Sequence, residues 1–423
     1  MTITVASPKY VLFLAIIFFF LFSLATFIWA STIAVYFRPI VKYDHNGEKF
    51  LAYLPHSGLS NQRNELENAL MLAIYLNRTL IVPPAFLGKL PGWHPGNSMD
   101  QDMTRKTEPQ SWWYRCNDKY AINDGPCNEK TDYLTVPWEF LHEDMIELDI
   151  PMRHIRHVST KKIQKLLSLD DSEIYQQQDK SMYSWVLCDK PRDQCPPVRV
   201  GGGNKYDDQW VIEDLQKIPH TLIQLQGMFG SNRVGVSGQE HLELRTKVQE
   251  ALTYKNPIID AVTANIVNEM GGKHSYLAVH VRMGNRQFLG NLQNTIAQEI
   301  AFLEHELAKM ECKQPSSTNC TSPLKIYLAT DARNPRTNAD LAPLFERFPD
   351  AAILDDFSHL LSPLEQAAEV AQPPQESVAR FMLPIIESMV SAHAKAFMGT
   401  PGSTYSRYIA RLHSVYQSSK YSD

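Results

Sequence analysis

Two stretches in the second half of the chain place polar residues directly after apolar runs. Arg282 follows the run 275–281, and Ser403 and Thr404 follow the run 394–398 across a glycine and proline turn. In an open α/β sheet, ligands bind beyond the carboxyl ends of the strands, so we expect these residues at a binding edge. An arginine can grip a phosphate through two charge-assisted hydrogen bonds, and the free N–H groups at a helix start also attract phosphate. The pattern favours an anion site without a metal, with a strand-end salt bridge for Arg282 and simple helix capping by Ser403 as the alternatives.

Two other polar positions have weaker local support. Asp331 follows the apolar run 325–329 and could hold a ribose hydroxyl, but capping of the next element is the simpler interpretation. In the first half, His56 begins the segment HSGLSNQR at 56–63, which leads from a strand end through a glycine turn into a helix start. An isolated histidine is more often a surface residue than a base. We expect this segment to look across a cleft towards the second half of the chain.

The elements that must position these residues alternate between strands and helices. Near the start, the pattern predicts a βαβ unit with a strand at 50–54, a helix at 61–76 and a strand at 79–82. Farther on it predicts strands at 182–187, 222–225, 275–281, 325–329, 351–354 and 394–398, and helices at 241–254, 295–310, 340–347, 379–390 and 404–412. Such alternation is typical of parallel sheets covered by helices. We therefore predict an α/β protein with two Rossmann-like, doubly wound domains, 50–235 and 236–423, that face a cleft.

The N-terminal region differs from the remainder, which has an average composition. The chain has 423 residues, is 44% hydrophobic and carries a formal charge of −5, so it offers no electrostatic reason to bind nucleic acid. Residues 11–37 form a run without a charged side chain. This run is long enough to cross a bilayer, and it is longer than the apolar core of a cleavable signal peptide. We predict a cytosolic tail at 1–9, a transmembrane signal anchor at 10–37 and a short stem at 38–49. This describes a single-pass type II protein.

Cysteine spacing and glycosylation sequons favour a location in the secretory pathway. Local pairing of the six cysteines is the simplest of many connectivities, and disulfides require an oxidising lumen. The three local pairs would be Cys116 with Cys127, Cys188 with Cys195, and Cys312 with Cys320. The sequon at Asn319 lies in a Ser/Thr/Pro-rich loop that suits a glycan, whereas Asn77 joins a helix to a strand and could be buried. We expect a Golgi or endoplasmic reticulum membrane protein with its folded body in the lumen.

Other ligand-binding patterns are weak. The chain has no CxxC, and His154 and His157 stand among basic residues without nearby thiols, so we expect no structural metal. The glycine cluster 201–203 lacks the spacing of a phosphate loop and favours a flexible loop. Asp100 and Asp102 form an Asp-x-Asp triplet in a predicted loop, where solvated carboxylates are the simpler interpretation.

Taken together, four segments resemble the GDP-fucose O-fucosyltransferase family. The run 56–63 with its continuation LNRTLIVPP at 76–84 is similar to the family's opening, and His280-Val-Arg282 is similar to its HxR donor motif. Thr330-Asp331 and FMGTPGSTY at 397–405 match its later motifs in the same order, while the region 85–220 has no match. The resemblance implies a GT-B glycosyltransferase that moves fucose from GDP-fucose to a hydroxyl with inversion and without an obligatory metal or other cofactor.

The resemblance also implies roles for individual residues. Arg282 would neutralise the β-phosphate as GDP leaves, and His280 and Asp331 would belong to the donor-binding residues. The start of the last helix would bind phosphate or nucleotide, and Glu387 occupies the place of the carboxylate that reads guanine. Asn61 would face the sugar from the first domain. The implied donor-binding set also contains Ser60, Gln62, Arg63, Ser403, Thr404 and Tyr405.

The general base is left open by the sequence. Asn285 stands where the commoner form of the HxR turn ends in an acid, and Ser57 and Gly58 stand where some branches carry a Glu. His56 is the nearest titratable candidate, Glu65 is a poorer one on the helix, and a mechanism without a base is the third possibility.

Two other functions and the identity of the acceptor also stay open. The chain could be an inactive, membrane-tethered protein that binds glycans or nucleotide sugars, or a metal-dependent GT-A transferase that uses Asp100 and Asp102. The acceptor could be a protein or a glycan hydroxyl. It would enter the unmatched central region, where Trp112, Trp113 and Trp138 could stack on a sugar or fill a core. The sequence does not indicate an oligomeric state.

Overall fold

A computed structural model of the chain describes residues 47–88, 92–107, 133–155, 158–195, 206–230, 233–284, 286–309, 324–371 and 378–418. Several predicted features lie outside these ranges: the tail 1–9, the anchor 10–37, most of the stem 38–49, the Cys116/Cys127 and Cys312/Cys320 pairs, Asn319, the 201–203 cluster, Trp112, Trp113, His157 and Asn285. In the described parts, every helix is too short or too polar to cross a bilayer. The anchor therefore stays a prediction.

The described residues form short strands interspersed with helices of 4 to 18 residues. The strands are β1 (Phe50–Tyr53), β2 (Thr79–Val82), β3 (Ala85–Gly88), β4 (Tyr133–Val136), β5 (Met152–His154), β6 (Ile174–Gln176), β7 (Trp185–Cys188), β8 (Asp208–Val211), β9 (Leu222–Leu225), β10 (Tyr276–Val281), β11 (Lys325–Thr330) and β12 (Ala396–Gly399). The α-helices are α1 (Leu59–Leu76), α2 (Ser98–Thr107), α3 (Trp138–Leu141), α4 (Thr160–Leu167), α5 (Ile212–Gln216), α6 (Gln239–Ala251), α7 (Pro257–Glu269), α8 (Arg286–Leu289), α9 (Leu292–Ala308), α10 (Ala342–Arg347), α11 (Ala379–Ala392) and α12 (Thr404–Tyr416).

The first sheet is parallel, with strand order β5-β2-β1-β9-β6. All four residues of β1 are buried because helices cover both faces. Leu51 and Tyr53 belong to the large core that includes α1, and Phe50 and Ala52 pack on the other face with α4. Helix α1 ends at Asn77, whose left-handed φ of 49° closes the helix before β2.

The second sheet is also parallel, with order β11-β10-β12. Its central strand β10 alternates between the two faces. Tyr276 and Ala278 contribute to the large core with α11 and α12, and Leu277 and Val279 pack under α9. The carboxyl ends of three parallel strands meet at one edge, so residues after them are brought together. The predicted α/β class with two parallel sheets is confirmed. The boundary between 235 and 236 stays a prediction, although the first sheet lies wholly before it and the second wholly after it.

Several local predictions were wrong. The predicted strand 351–354 is reduced to one bridge, Ala352 to Tyr327, and a 3-10 helix begins at Leu354 because the Asp356 carboxylate accepts the Ile353 N–H. The predicted strand 182–187 begins only at Trp185, after a turn closed by the Ser184 hydroxyl.

Four isolated features of the first half have clear outcomes. Asp100 and Asp102 lie on α2 and not in a loop. Asn77 is exposed and not buried. Trp138 is 1% exposed and belongs to the core. The predicted Cys188–Cys195 disulfide is confirmed, with Cα atoms 6.0 Å apart.

Candidate active site

The carboxyl ends of β10 and β12 are joined through Thr400. Its backbone N–H and its hydroxyl donate to the carbonyl of His280 at 3.0 and 2.8 Å. The Arg282 backbone N–H in turn donates to Oγ1 of Thr400 at 2.8 Å. The segment that carries Arg282 and the turn that precedes α12 are therefore fixed to each other at one edge of the sheet.

Asp331 orders the turn after β10. Its two carboxylate oxygens accept the N–H groups of Met283 and Gly284 at 2.7 and 2.9 Å, and Oδ2 lies 2.6 Å from Nη1 of Arg282. The Arg282 side chain is 32% exposed, so its guanidinium is held at the surface. The expectation that Asp331 caps the next element was wrong, because its carboxylate accepts N–H groups of the turn after β10 and the next element begins after its cap residue Asn334. Arg282 forms the salt bridge that was the alternative to an anion site.

The start of α12 combines a glycine turn with hydroxyl side chains. Gly402 has a left-handed φ of 79°, and Ser403 caps the helix by accepting the Ser406 N–H at 3.2 Å. The Tyr405 hydroxyl donates to the carbonyl of Pro384 at 2.6 Å. Backbone N–H groups in the first turn of a helix have no partner within the helix. This helix start is therefore suited to hold an anion beside the Arg282 turn.

His280 lies beneath this helix start. It is 2% exposed, and its Nδ1 is 2.7 Å from Oγ of Ser406. Burial, with a smaller contribution from Arg282, lowers the pKa of His280 to about 3, so the ring is neutral at physiological pH. The structure therefore places this predicted donor-binding residue as a support for the first turn of α12.

One hydrogen bond joins the two halves of the predicted site. The Thr404 hydroxyl donates to Oδ1 of Asn61 at 2.7 Å, although the residues are 343 positions apart in sequence. Ser60 and Asn61 are both half-buried in the first turn of α1. The N-terminus of α1 therefore lies against the N-terminus of α12.

The next two residues of α1 are buried between elements. Gln62 is fully buried and forms a pair of hydrogen bonds with the backbone of Phe86, both at 3.0 Å, which tie α1 to β3. Arg63 is 3% exposed, and its guanidinium carbon lies 3.4 Å from the centre of the Tyr408 ring. Burial lowers the pKa of Arg63 to about 10, which leaves it charged at neutrality. The structure places these two predicted donor-binding residues in packing, where Arg63 joins α1 to α12.

His56, Ser57 and Glu65 form a chain of contacts at the end of β1. Nδ1 of His56 is 2.9 Å from Oγ of Ser57, and Nε2 is 2.8 Å from Oε1 of Glu65. The other carboxylate oxygen of Glu65 accepts the backbone N–H of His56 at 3.1 Å. His56 and Glu65 are 1% and 0% exposed, and Ser57 is half-buried with a left-handed φ of 63°. The favoured surface position of His56 was wrong, because the ring is buried against Glu65. The sequence named His56 and Glu65 as alternative bases but did not predict that they are in contact.

Glu387 on α11 lies near the end of β11. The Thr330 N–H is 3.5 Å from its Oε1. Burial raises the pKa of Glu387 to about 8, and the nearby charges of Asp331 and Asp355 act in the same direction. A carboxyl group that is largely protonated at pH 7 thus lies beside the end of β11. Its role in reading guanine stays a prediction.

Sequence reasoning missed three residues that organise this edge. Thr400 accepts the backbone N–H of Arg282. Ser406 contacts His280, and the ring of Tyr408 stacks on Arg63. Thr400 and Ser406 stand within or directly after the quoted run 397–405 and could have been noticed as hydroxyls at a strand-to-helix turn. Tyr408 gave no local signal because its partner lies in the other half of the chain.

The described ranges contain no group of three or more His, Cys, Asp or Glu side chains with metal-site geometry. Oδ1 of Asp100 accepts the backbone N–H and the hydroxyl of Thr160, both at 2.9 Å, and so anchors α4. Oδ2 of Asp102 lies 3.7 Å from Nε2 of His94. Residues two apart on a helix point in different directions, so this pair lacks the convergence that a bidentate metal site requires.

A small pocket lies at the carboxyl edge of the first sheet. Its walls include Leu54 after β1 and the glutamine-containing segments 176–178 and 224–226 at the ends of β6 and β9. The pocket occupies the position in the first sheet that corresponds to the Arg282 edge in the second.

Comparisons with known proteins give one sequence match and several structural ones. No family model matches the chain. Over 38 residues the sequence is 66% identical to O-fucosyltransferase 30 of Arabidopsis thaliana, a segment that covers 9% of this chain and 8% of that protein's length. This match confirms the resemblance to O-fucosyltransferases that the motifs indicated.

Two of the similar solved structures carry fucosyltransferase names. POFUT1 in complex with GDP has 11% identity and a TM-score of 0.40, over 86% of this chain and 94% of that chain. The fucosyltransferase NodZ from Bradyrhizobium has 14% identity and a TM-score of 0.37, over 86% and 93% of the two chains.

Proposed function

We propose that the chain is a GT-B fucosyltransferase that transfers fucose from GDP-fucose to a hydroxyl of a protein or glycan, with inversion and without an obligatory metal. The observation that carries this proposal is the hydrogen bond from the Arg282 N–H to Oγ1 of Thr400 at 2.8 Å. It fixes a surface guanidinium and the N-terminus of α12 at neighbouring strand ends, where both can contact one diphosphate.

The chemistry follows from where charge develops. A fucosyl group in transfer is electron-poor, and negative charge accumulates on the departing GDP. Arg282 and the N–H groups of α12 stabilise that charge before and during bond cleavage, which lowers the barrier without a metal ion. Asn61, held by Thr404, contributes from the first half of the chain.

The proposal is tested with the purified full-length chain and a panel of nucleotide sugars. We expect GDP-fucose and GDP to raise the melting temperature, and UDP-sugars to leave it unchanged. GDP release from GDP-fucose should continue in EDTA and gain nothing from Mn²⁺. Tight binding of GDP-fucose without any GDP release would favour the inactive binding protein, and loss of activity in EDTA would favour the metal-dependent alternative.

The raised pKa of Glu387 leads us to expect that donor binding depends on pH. An ionised carboxylate accepts the N–H groups of guanine, but burial keeps Glu387 protonated below about pH 8. Donor binding must therefore release a proton, so affinity should rise by up to about tenfold per pH unit between pH 6 and 8 and level off above. The raised pKa also affects the free energy of unfolding of the nucleotide-free protein. The stability that the protonated Glu387 contributes is lost as pH rises through about 8.

Calorimetry with GDP-fucose measures this effect, because its phosphates do not titrate in that range. Glu387→Gln should weaken binding and abolish the pH dependence. Glu299→Gln is the matched control. Burial also raises the pKa of Glu299 to about 8, but this residue lies on α9, seven positions after the start of that helix at Leu292. A pH profile unchanged in Glu387→Gln would remove Glu387 from the donor site.

We also propose the type II arrangement, with the anchor at 10–37 and the folded body in the Golgi or endoplasmic reticulum lumen. The uncharged run at 11–37 and the Cys188–Cys195 disulfide support this. In microsomes, the body should resist added protease and carry endoglycosidase-sensitive glycan. Digestion in sealed microsomes would place it in the cytosol.

A further inference from the structure

The contacts around His56 address the missing general base. Both ring nitrogens of this 1%-exposed histidine are occupied, Nδ1 by Ser57 Oγ at 2.9 Å and Nε2 by Glu65 Oε1 at 2.8 Å. An acceptor hydroxyl therefore cannot reach the imidazole directly. Ser57, which is half-buried, is the member of the chain that an acceptor can contact.

We propose, on the premise of the fucosyltransferase function above, that Ser57, His56 and Glu65 form a proton relay that serves as the general base. The carboxylate beside Nε2 favours the tautomer with its proton on Nε2, which leaves the lone pair of Nδ1 facing the Ser57 hydroxyl. A hydroxyl, an imidazole and a carboxylate in contact in this order are the arrangement by which proteins move a proton through histidine. The contact between Nε2 and Oε1 of Glu65 is short but not well aligned as a hydrogen bond, and the alignment of such contacts improves when substrate binds.

The proton balance is complete within these three residues. The acceptor oxygen bonds to C1 of fucose, the bond from C1 to the β-phosphate oxygen breaks, and its electron pair leaves with GDP. The acceptor proton passes to Oγ of Ser57, while the Ser57 proton passes to Nδ1 of His56. The imidazolium so formed lies against Glu65, so the buried pair is neutral overall and the cost of an isolated buried charge is avoided. The proton returns to solvent by the same route.

The backbone and the location of Ser57 support this role. A left-handed φ is uncommon for a residue other than glycine, and Ser57 contacts His56 through its hydroxyl while in this conformation. The Gln62 amide holds the carbonyl of Ser57 at 2.9 Å. Three residues after Gly58 comes Asn61, which contacts Thr404 of the donor-side helix. Ser57 at the end of the relay is therefore four positions from Asn61, where the two halves of the site meet.

Water and azide, used as acceptors of fucose from GDP-fucose, test the relay without knowledge of the natural acceptor. Water must lose a proton when it attacks C1, whereas the azide anion has none to lose. In Ser57→Ala and His56→Gln we expect hydrolysis to fall about 100-fold, as for loss of a general base. The azide reaction and the calorimetric affinity for GDP-fucose should stay within about threefold of the wild type. Glu65 is a positioning residue, so Glu65→Gln should lose hydrolysis in part and Glu65→Asp should recover some of it.

The outcomes separate the relay from the function on which it rests. Equal loss of hydrolysis and azide reaction, or hydrolysis within threefold of the wild type in Ser57→Ala, would overturn the relay. If the wild type reacts with water but not with azide, the affinity for GDP-fucose replaces the azide reaction as the reference. A fall in hydrolysis with unchanged affinity then supports the relay, and an equal loss of both overturns it. A wild-type chain that binds GDP-fucose but releases no GDP with either acceptor would instead overturn the proposed transferase.

Discussion

Replacement of Arg282 by alanine is expected to reduce turnover of GDP-fucose by about 10²–10³-fold, which corresponds to about 3–4 kcal/mol of barrier. The guanidinium is the cation fixed at the sheet edge where the departing diphosphate gains charge, and Asp331 already orients it at 2.6 Å. Because this ion pair is partly exposed, its loss should change the free energy of unfolding by no more than about 1 kcal/mol. The measurement is the rate of GDP release by the purified full-length chain, with a melting curve for each variant.

Two variants control this experiment. Arg282→Lys keeps the charge but loses the fork that grips two oxygens, so we expect an intermediate rate. Arg347 at the end of α10 forms an exposed ion pair with Glu304 of α9 at 2.5 Å, and Arg347→Ala should leave turnover unchanged. Near-normal GDP release by folded Arg282→Ala would contradict both the role of this residue and the proposed placement of the diphosphate.

The sequence predicted the strands and the residues after them better than the contacts those residues make. β2 and β9 were predicted with their observed bounds because each is a short β-branched or aliphatic run between polar turns. The partner of Asp331 could not be predicted, since Gly284 and Met283 lie 47 and 48 positions away and only strand pairing brings them close. Capping of the next element was the wrong expectation for Asp331, because the N–H groups that its carboxylate accepts belong to the turn after the neighbouring strand β10.

Burial separated the predicted site residues into two groups. Arg282, Ser60, Asn61, Thr404 and Tyr405 keep partial exposure, whereas His280, Gln62 and Arg63 are buried and support the others. His280 lies on central strand β10, on the same face as Tyr276 and Ala278, and this face packs against α12. The alternation of a strand could have indicated that face, but the stacking of Arg63 on Tyr408 depends on how two distant helices meet. A motif therefore identifies a region of the site more reliably than it assigns ligands within it.

Replacement of Gly399 by alanine is expected to disturb both the fold and donor binding. A Cβ at this position would lie 2.6 Å from Cβ of Ser406 and 2.9 Å from Cζ of Phe397. Such overpacking typically costs about 1–3 kcal/mol of stability. Relief of the contact moves the first turn of α12 away from β12. A displacement of about 1 Å at a binding edge can lower the rate by about 100-fold. We therefore expect a lower melting temperature together with at least tenfold weaker binding of GDP-fucose.

The design around Gly399 separates packing from binding. Gly238→Ala is the control, because a Cβ there meets nothing within 4 Å, and it should change stability by no more than about 0.5 kcal/mol. Adding Ser406→Gly to Gly399→Ala removes the colliding Cβ and should restore part of the lost donor affinity, a coupling that independent sites do not show. If Gly399→Ala lowers the melting temperature but leaves the affinity for GDP-fucose unchanged, the start of α12 is a packing element and the diphosphate binds elsewhere. If affinity falls and the double variant recovers it, the position of this one helix turn controls donor binding, as expected if backbone N–H groups and Arg282 share one diphosphate.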